Sequence, residues 1–155
     1  MGSADFQNTQ SESNSAVSET ILAPRRTALV ILASILNARQ PLDTVLEINP
    51  DFKRLEGRDR SFVRMLVTTT LRRCGEIDVF IQKAQDRPDK PLQPVLKNVL
   101  RLGLAQILFL NVPDHAAVDT SVRLAESQGH AKSKGFVNAV LRTIIRNRPE
   151  WSETL

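Results

Sequence analysis

Two lysines and an arginine surround the predicted start of a helix near the end of the chain. Lys132 and Lys134 lie in the segment KSKGFVNAVLR, and Arg142 follows two helical turns later. A helix N-terminus carries about half a positive charge and free N–H groups, so cations beside it attract phosphate. Gly135 lets a backbone approach closely. These residues predict a phosphate-binding corner; solvation of a surface loop is the alternative explanation of the lysines.

Four arginines elsewhere in the chain are further candidates for contacts with a polyanion. Arg25 and Arg26 come just before the first predicted helix, and Arg60 and Arg64 lie four residues apart on one face of a later helix. The planar guanidinium group suits phosphate because it offers two parallel N–H donors.

The distribution of charge favours an anionic partner. All 21 Lys and Arg residues lie in 24–155, with 14 of the 17 acidic residues, so this segment carries a net charge of +7 against +4 for the whole chain. Such a surplus is typical of nucleic-acid contact, although solubility alone would also explain it. With six Phe, one Trp and no Tyr, a domain that stacks bases on exposed rings is not expected.

Residue patterns for catalysis, cofactors and metals are missing from the sequence. There is no glycine-rich phosphate loop, and neither His115 nor His130 has a second ligand at metal-binding spacing. Cys74, the only cysteine, follows two arginines that would lower its pKa, but it has no partner base. We therefore expect no catalytic, cofactor-binding or metal-binding residues. With no disulfide and no apolar run near the ~20 residues that span a bilayer, we expect a cytoplasmic protein without membrane contact.

The chain is predicted to fold as one all-α domain behind a polar tail. Residues 1–23 are rich in Ser, Asn, Gln and Thr, so we expect a disordered tail. The domain spans 24–148, beginning at a proline that suits a first helical turn. Residues 149–155 are expected to begin a linker, since Pro149 should end the last helix. Apolar residues at steps of three and four, without period-two alternation, predict about six or seven helices.

The segment VLKNVLRLGLAQILFLN is predicted to be the central helix. It is apolar almost all round, which is typical of a helix surrounded by others. Gly103 in its middle costs about 1 kcal/mol relative to alanine, and we expect it to let another helix cross closely. The bundle should therefore be built around residues 95–110. We expect NPDFKRLEG to be a connector and Gly75 to end the helix that follows it.

Three segments resemble the NusB-like RNA-binding domain: RDRSFVRMLVTTTLRRCGEID, VLRLGLAQILFLNVPDHAAVDTSVRLA and KGFVNAVLR. The likeness runs from about Arg25 to Arg148. Each segment alone is an amphipathic helix, and it is their order and spacing that resemble the family. The lack of acidic residues in LRLGLAQILFL, together with VPDHAAV, GEID and NAVLR, resembles the N-terminal domain of RsmB/Sun-type ribosomal RNA methyltransferases.

This resemblance implies an RNA-binding accessory domain that positions 16S ribosomal RNA by phosphate contacts. In that branch the domain precedes, in the same chain, a Rossmann-like domain that binds S-adenosylmethionine and methylates carbon 5 of a cytosine. That machinery is not among these 155 residues, so we expect no enzymatic activity from this chain alone. In NusB-type proteins the arginine-rich start of the first helix contacts RNA; Arg25 and Arg26 match that position, but the basic run is shorter here.

Two other functions stay open at this point. One is a free-standing NusB-type antitermination factor, which would bind a short single-stranded RNA together with a ribosomal protein. The other is a protein–protein docking module without RNA contact, whose positive charge would be incidental.

Overall fold

The computed structural model describes the backbone of residues 3–87 and 89–153, and the side chains from residue 19 onward within those ranges. Its described part contains eight α-helices, one short 3₁₀ turn at Ala131–Ser133 and no strand. This confirms the all-α class. In chain order the helices are α1 (Ser3–Ala38), α2 (Leu42–Ile48), α3 (Pro50–Arg54), α4 (Gly57–Arg72), α5 (Cys74–Ala84), α6 (Pro94–Phe109), α7 (Asp114–Ser127) and α8 (Lys134–Glu153).

Helix α6 is the centre of the bundle, as the sequence predicts. It packs against α1, α4, α5, α7 and α8. Leu100 and Leu104 are fully buried and Leu102 almost so, and complete burial of a leucine contributes about 1.5–3 kcal/mol of hydrophobic free energy. Two polar side chains, Asn98 and Gln106, are buried on the same helix. Helix α6 is apolar almost all round because other helices surround it on nearly every side.

Gly103 lies where α7 and α8 approach α6 closely. A Cβ atom at this position would lie 2.6 Å from Ser121 Oγ on α7 and 3.4 Å from Leu141 Cδ1 on α8. Real Cβ atoms do not approach a neighbour to 2.6 Å, so only glycine fits without a shift. The predicted role of Gly103 is confirmed.

The first helix begins much earlier than predicted. Helix α1 continues through Pro24 back to Ser3, whereas the sequence predicts a disordered tail over residues 1–23 and a helix from Pro24. Met1 and Gly2 lie outside the described residues. Contacts on both sides of the proline offset its missing N–H. Leu22 is buried in the core, and Glu19 forms an ion pair with Arg26 one to two turns later.

One described segment, Glu19–Ala38, has the length and composition of a membrane-spanning helix. This corrects the expectation that no apolar stretch approaches that length. A core helix meets the same criteria, and α1 is packed as one: Ala28, Ile31 and Leu32 are fully buried, and the helix contacts α4, α6 and α7.

The end of the last helix also differs from the prediction. Helix α8 passes through Pro149 and ends at Glu153, whereas the sequence predicts that Pro149 ends the helix and that a linker begins there. The added turn brings Trp151 against Phe80 on α5, with ring centroids 6.3 Å apart, and places Lys83 Nζ 5.8 Å from the Trp151 ring. An aromatic pair contributes about 0.5–1.5 kcal/mol beyond its area burial, which offsets part of the cost of the proline.

Two shorter features were predicted wrongly. The connector NPDFKRLEG contains a helix, α3, because Asn49 Oδ1 caps it by accepting from Phe52 N at 2.8 Å and the Phe52 ring is buried. This helix brings the count above the expected six or seven. Gly75 does not end α4, which stops at Arg72; it lies in the first turn of α5.

Candidate nucleic-acid interface

A cleft of about 380 Å³ opens between α7 and the first half of α8. It contains Lys134, Gly135 and Arg142 from the predicted phosphate-binding corner. The residues that line it are His115, Val118, Asp119, Val122, Lys134, Gly135, Asn138 and Arg142. The structure thus brings two of the three predicted cations, Lys134 and Arg142, into one concave surface, while Lys132 does not line it. His115 and Asn138 also line the cleft, and the sequence did not predict them there.

The spacing along α8 explains why these side chains share the cleft. Lys134, Asn138 and Arg142 are four residues apart, so they lie on one stripe of the helix. The neighbouring stripe of the helix is buried in the core and consists of Val137, Val140, Leu141 and Ile144. Phe136, on the same helix, is 37% exposed. Burial of the apolar stripe therefore turns the polar stripe toward α7 and solvent.

The turn between α7 and α8 fixes where the cleft begins. Gly129 has a φ of +83°, a left-handed conformation that glycine adopts without strain, and His130 N donates to Ala125 O at 3.0 Å. The chain then forms the 3₁₀ turn that carries Lys132. At the far end of α8, Arg148 Nη1 lies 3.3 Å from Asp114 Oδ1 and joins the two helices.

The charges in and beside the cleft leave cations available. Lys134 Nζ lies 3.5 Å from Glu126 Oε1, and both side chains are about half exposed; such surface pairs contribute about 0–1 kcal/mol. Asp119 is already paired with Arg123 Nε at 3.1 Å. Among the described residues, Arg142 and Lys132 have no carboxylate partner, and both are exposed. An incoming phosphate would therefore meet little competition from the protein's own acids.

Arg25 lies in a very different environment. Its guanidinium donates from Nε to Gln106 Oε1 at 2.9 Å and from Nη1 to Ile21 O at 3.0 Å. The group also lies over the Phe62 ring, 5.0 Å from the centroid. Burial lowers the pKa of Arg25, because a desolvated cation is disfavoured.

Arg26, the next residue, points to an acidic partner on its own helix. Its Nη1 and Nη2 donate to the two carboxylate oxygens of Glu19, at 2.6 and 3.1 Å. These hydrogen bonds lower the pKa of Glu19 and raise the pKa of Arg26. The two arginines that the sequence grouped together are therefore held by separate contacts.

Arg60 and Arg64 lie on α4, away from the cleft. Arg60 is exposed. Arg64 Nη1 is 3.6 Å from Asp43 Oδ1, with both side chains largely exposed. The predicted RNA-binding residues thus fall into three regions, at α1, α4 and the α7–α8 cleft, and their contact with RNA stays a prediction.

The described residues show no arrangement suited to catalysis by Cys74 or to a metal. Burial, ahead of any charge, raises the pKa of the Cys74 thiol, the opposite of what its arginine neighbours in sequence suggested. Its neighbour Asp78 is engaged by Arg101, with two N–H donors at 2.8 Å each. Within the described ranges, no three His, Cys, Asp or Glu side chains are grouped so that they could hold a metal ion.

Comparison with known proteins places the fold in a family. The NusB family matches residues 22–146. A Mycobacterium tuberculosis protein provisionally named a methyltransferase is 42% identical over 96 residues, 61% of this chain and 21% of that protein. Ribosomal RNA small subunit methyltransferase B of Xanthomonas campestris is 34% identical over 126 residues, 81% of this chain and 28% of that protein. This chain therefore spans between a fifth and a third of these relatives.

Solved structures agree with this assignment. The crystal structure of the antitermination factors NusB and NusE in complex with double-stranded RNA contains a chain with a TM-score of 0.70 and 26% identity to this one, covering 83% of this chain and 97% of that one. The family match and the three-dimensional similarity each cover most of the chain. The chain belongs to the NusB family.

Proposed function

We propose that this chain is an RNA-binding accessory domain of a cytoplasmic ribosomal RNA cytosine methyltransferase. Relatives named ribosomal RNA small subunit methyltransferase B support the branch, and the structural neighbour in complex with double-stranded RNA supports RNA as the ligand. The observation that carries the proposal is the α7–α8 cleft, where Lys134 and Arg142 lie on one stripe beside the start of a 20-residue helix.

The cleft suits the RNA backbone better than the bases. Lys134 and Arg142 offer charged donors and Asn138 offers a neutral amide, and all three groups can bind phosphate oxygens. Contacts to phosphate fix position and orientation but carry no direct sequence information, which is read from base edges and from shape. The domain would therefore hold 16S ribosomal RNA in place without selecting a sequence. Binding of S-adenosylmethionine and methyl transfer would belong to a catalytic domain in cis.

The proposal is tested by binding to fragments of 16S ribosomal RNA, followed by fluorescence anisotropy. The wild-type chain should bind, and Lys134→Ala with Arg142→Ala should bind about tenfold or more weakly, since two charge-assisted contacts are lost. Lys53→Ala with Arg54→Ala removes two exposed cations of α3 and serves as the matched control, expected to bind like wild type. Equal affinity of the cleft variant and this control would refute the assignment of the site.

A second function is favoured by one comparison. The chain covers 97% of the NusB chain found with NusE and RNA, so nearly all of that antitermination factor has a structural counterpart in this chain. That function predicts capture of a small-subunit ribosomal protein and tight binding to a short single-stranded RNA. If the chain binds structured 16S fragments but does not capture that protein, the methyltransferase branch is favoured. If it binds no RNA at all, the docking-module hypothesis is left.

A further inference from the structure

Arg25 differs from the other arginines that are partly buried. Arg25, Arg26, Arg101 and Arg148 are the described arginines that are neither buried nor exposed. Three of them are paired with the carboxylates of Glu19, Asp78 and Asp114, respectively. Arg25 has only neutral partners among the described residues: an amide oxygen, a backbone carbonyl and a ring face.

The key partner is Gln106, a buried residue of α6 with 2% exposure. Its Nε2 donates to Leu102 O at 3.0 Å, which fixes the amide so that Oε1 faces Arg25. The same oxygen accepts from Arg25 Nε at 2.9 Å. Gln106 therefore orients the guanidinium but supplies no negative charge.

A partly desolvated cation held in this way is prepared for an anion. Removing a cation from water without a counter-charge is costly, and an anion that binds it recovers part of that cost. Arg25 Nη2 has no hydrogen-bond partner among the described residues. The side chain is already ordered by Gln106 and Phe62, so an anion would lose little extra conformational entropy on binding.

We propose that Gln106 is a positioning residue that makes Arg25 an anion-binding site, completed by a phosphate group. A carboxylate in place of the amide would form an internal ion pair with Arg25 and would remove the surplus charge. Under the proposed function, the phosphate group belongs to the RNA backbone. The inference rests on the proposed function only for this source of the phosphate, and not for the anion site itself.

The inference is tested with inorganic phosphate as the probe, by following the Nε–H signal of Arg25 in ¹⁵N NMR spectra. Loss of one signal in Arg25→Gln identifies the resonance. In the wild-type chain this signal should shift saturably with phosphate. In Gln106→Glu the apparent affinity should fall about tenfold or more, as expected when a charge-assisted contact is cancelled.

Gln106→Met is the matched control, because it removes the acceptor at similar length without adding charge. It should weaken phosphate binding less than Gln106→Glu. Equal weakening by both variants, or a wild-type signal that does not respond to phosphate, would overturn the inference. If circular dichroism shows that Gln106→Glu does not fold, two measurements still test the inference. The wild-type signal should shift with phosphate, and Gln106→Met should bind phosphate more weakly than wild type.

An RNA titration separates this inference from the proposed function. If Arg25 responds to phosphate but the chain binds no 16S fragment, the anion site stands and the proposed function fails. If RNA binds while the Arg25 signal stays unchanged in both titrations, the proposed function stands through the cleft and the role of Gln106 is refuted.

Discussion

The start of α1 and the α7–α8 cleft look alike in sequence but differ in structure. Both were selected because two basic residues lie close together at a predicted helix start. At α1, Arg25 is held by Gln106 and Arg26 by Glu19. In the cleft, Arg142 has no carboxylate partner among the described residues, and Lys134 has only a long, exposed pair. At α1, therefore, Arg26 already has a counter-charge, whereas Arg25 is ordered by neutral partners and has none in the described part of the chain. Burial and nearby acceptors, and not the number of cations in a segment, decide which cations can meet an anion.

Both regions depend on the helix crossing at Gly103, and disturbing it should have the largest effect. Gly103→Val should lower the free energy of unfolding by about 1–3 kcal/mol, because its Cβ meets Ser121 and the surrounding helices must shift. Urea unfolding followed by circular dichroism measures the change. Gly75→Ala is the control, since a Cβ there meets no atom within 4 Å. A Gly103→Val chain as stable as wild type would show that the crossing is not close-packed.

The difference between the two regions is next tested by removing Arg25. Arg25→Ala should destabilise the chain by about 1–2 kcal/mol, because the buried Gln106 Oε1 loses its hydrogen bond and Phe62 loses its covering group. The urea midpoints of unfolding of Arg25→Ala and Arg26→Ala measure how much stability each substitution removes. If Arg26→Ala is as destabilising as Arg25→Ala, the contacts of Arg25 with Gln106 and Phe62 do not contribute the stability assigned to them.

The ion pair between Arg26 and Glu19 should contribute less to stability than the contacts of Arg25, and its contribution should depend on pH. Because Arg26 lowers the pKa of Glu19 in the folded chain, the contribution is present above the ordinary Glu pKa and is lost as the pH falls through the lowered value. Glu19 is 60% exposed, so Glu19→Gln should cost at most about 0.5 kcal/mol at neutral pH. Unfolding of both chains at neutral and strongly acidic pH should show a difference only at neutral pH.

The smallest expected effect on stability is in the cleft. Lys134→Ala with Arg142→Ala should change the free energy of unfolding by no more than about 0.5 kcal/mol, as is usual for exposed surface residues. The same variant should lose RNA affinity. A large loss of stability here would mean that these cations hold α7 against α8, and the contrast with α1 would disappear.

The sequence predicts the centre of this fold better than its edges. The apolar pattern of α6 and the glycine within it led to the right core and the right crossing, because burial on all sides leaves a strong pattern. Helix ends depend on single tertiary contacts, such as Leu22 in the core before Pro24 and Trp151 on Phe80 after Pro149. No local pattern encodes these contacts, so both prolines were wrongly taken as boundaries.

In the candidate site, too, local spacing predicts some contacts and distant contacts are missed. The four-residue spacing of Lys134, Asn138 and Arg142 contained enough information to place Asn138 in the cleft beside the two cations. The partner of Arg25 lies 81 residues away and was not predicted. One signal was available: Gln106 is a polar residue in an otherwise apolar helix, and a buried amide requires a hydrogen-bond partner.

The salt dependence of RNA binding tests the central claim most directly. Each phosphate contact releases counterions, so log K for a 16S fragment should fall with log salt with a slope of about −0.7 to −0.9 per contact. We predict a steep slope for wild type that becomes shallower by about 1.4–1.8 in Lys134→Ala with Arg142→Ala. A wild-type affinity that does not change between low and physiological salt would contradict the account.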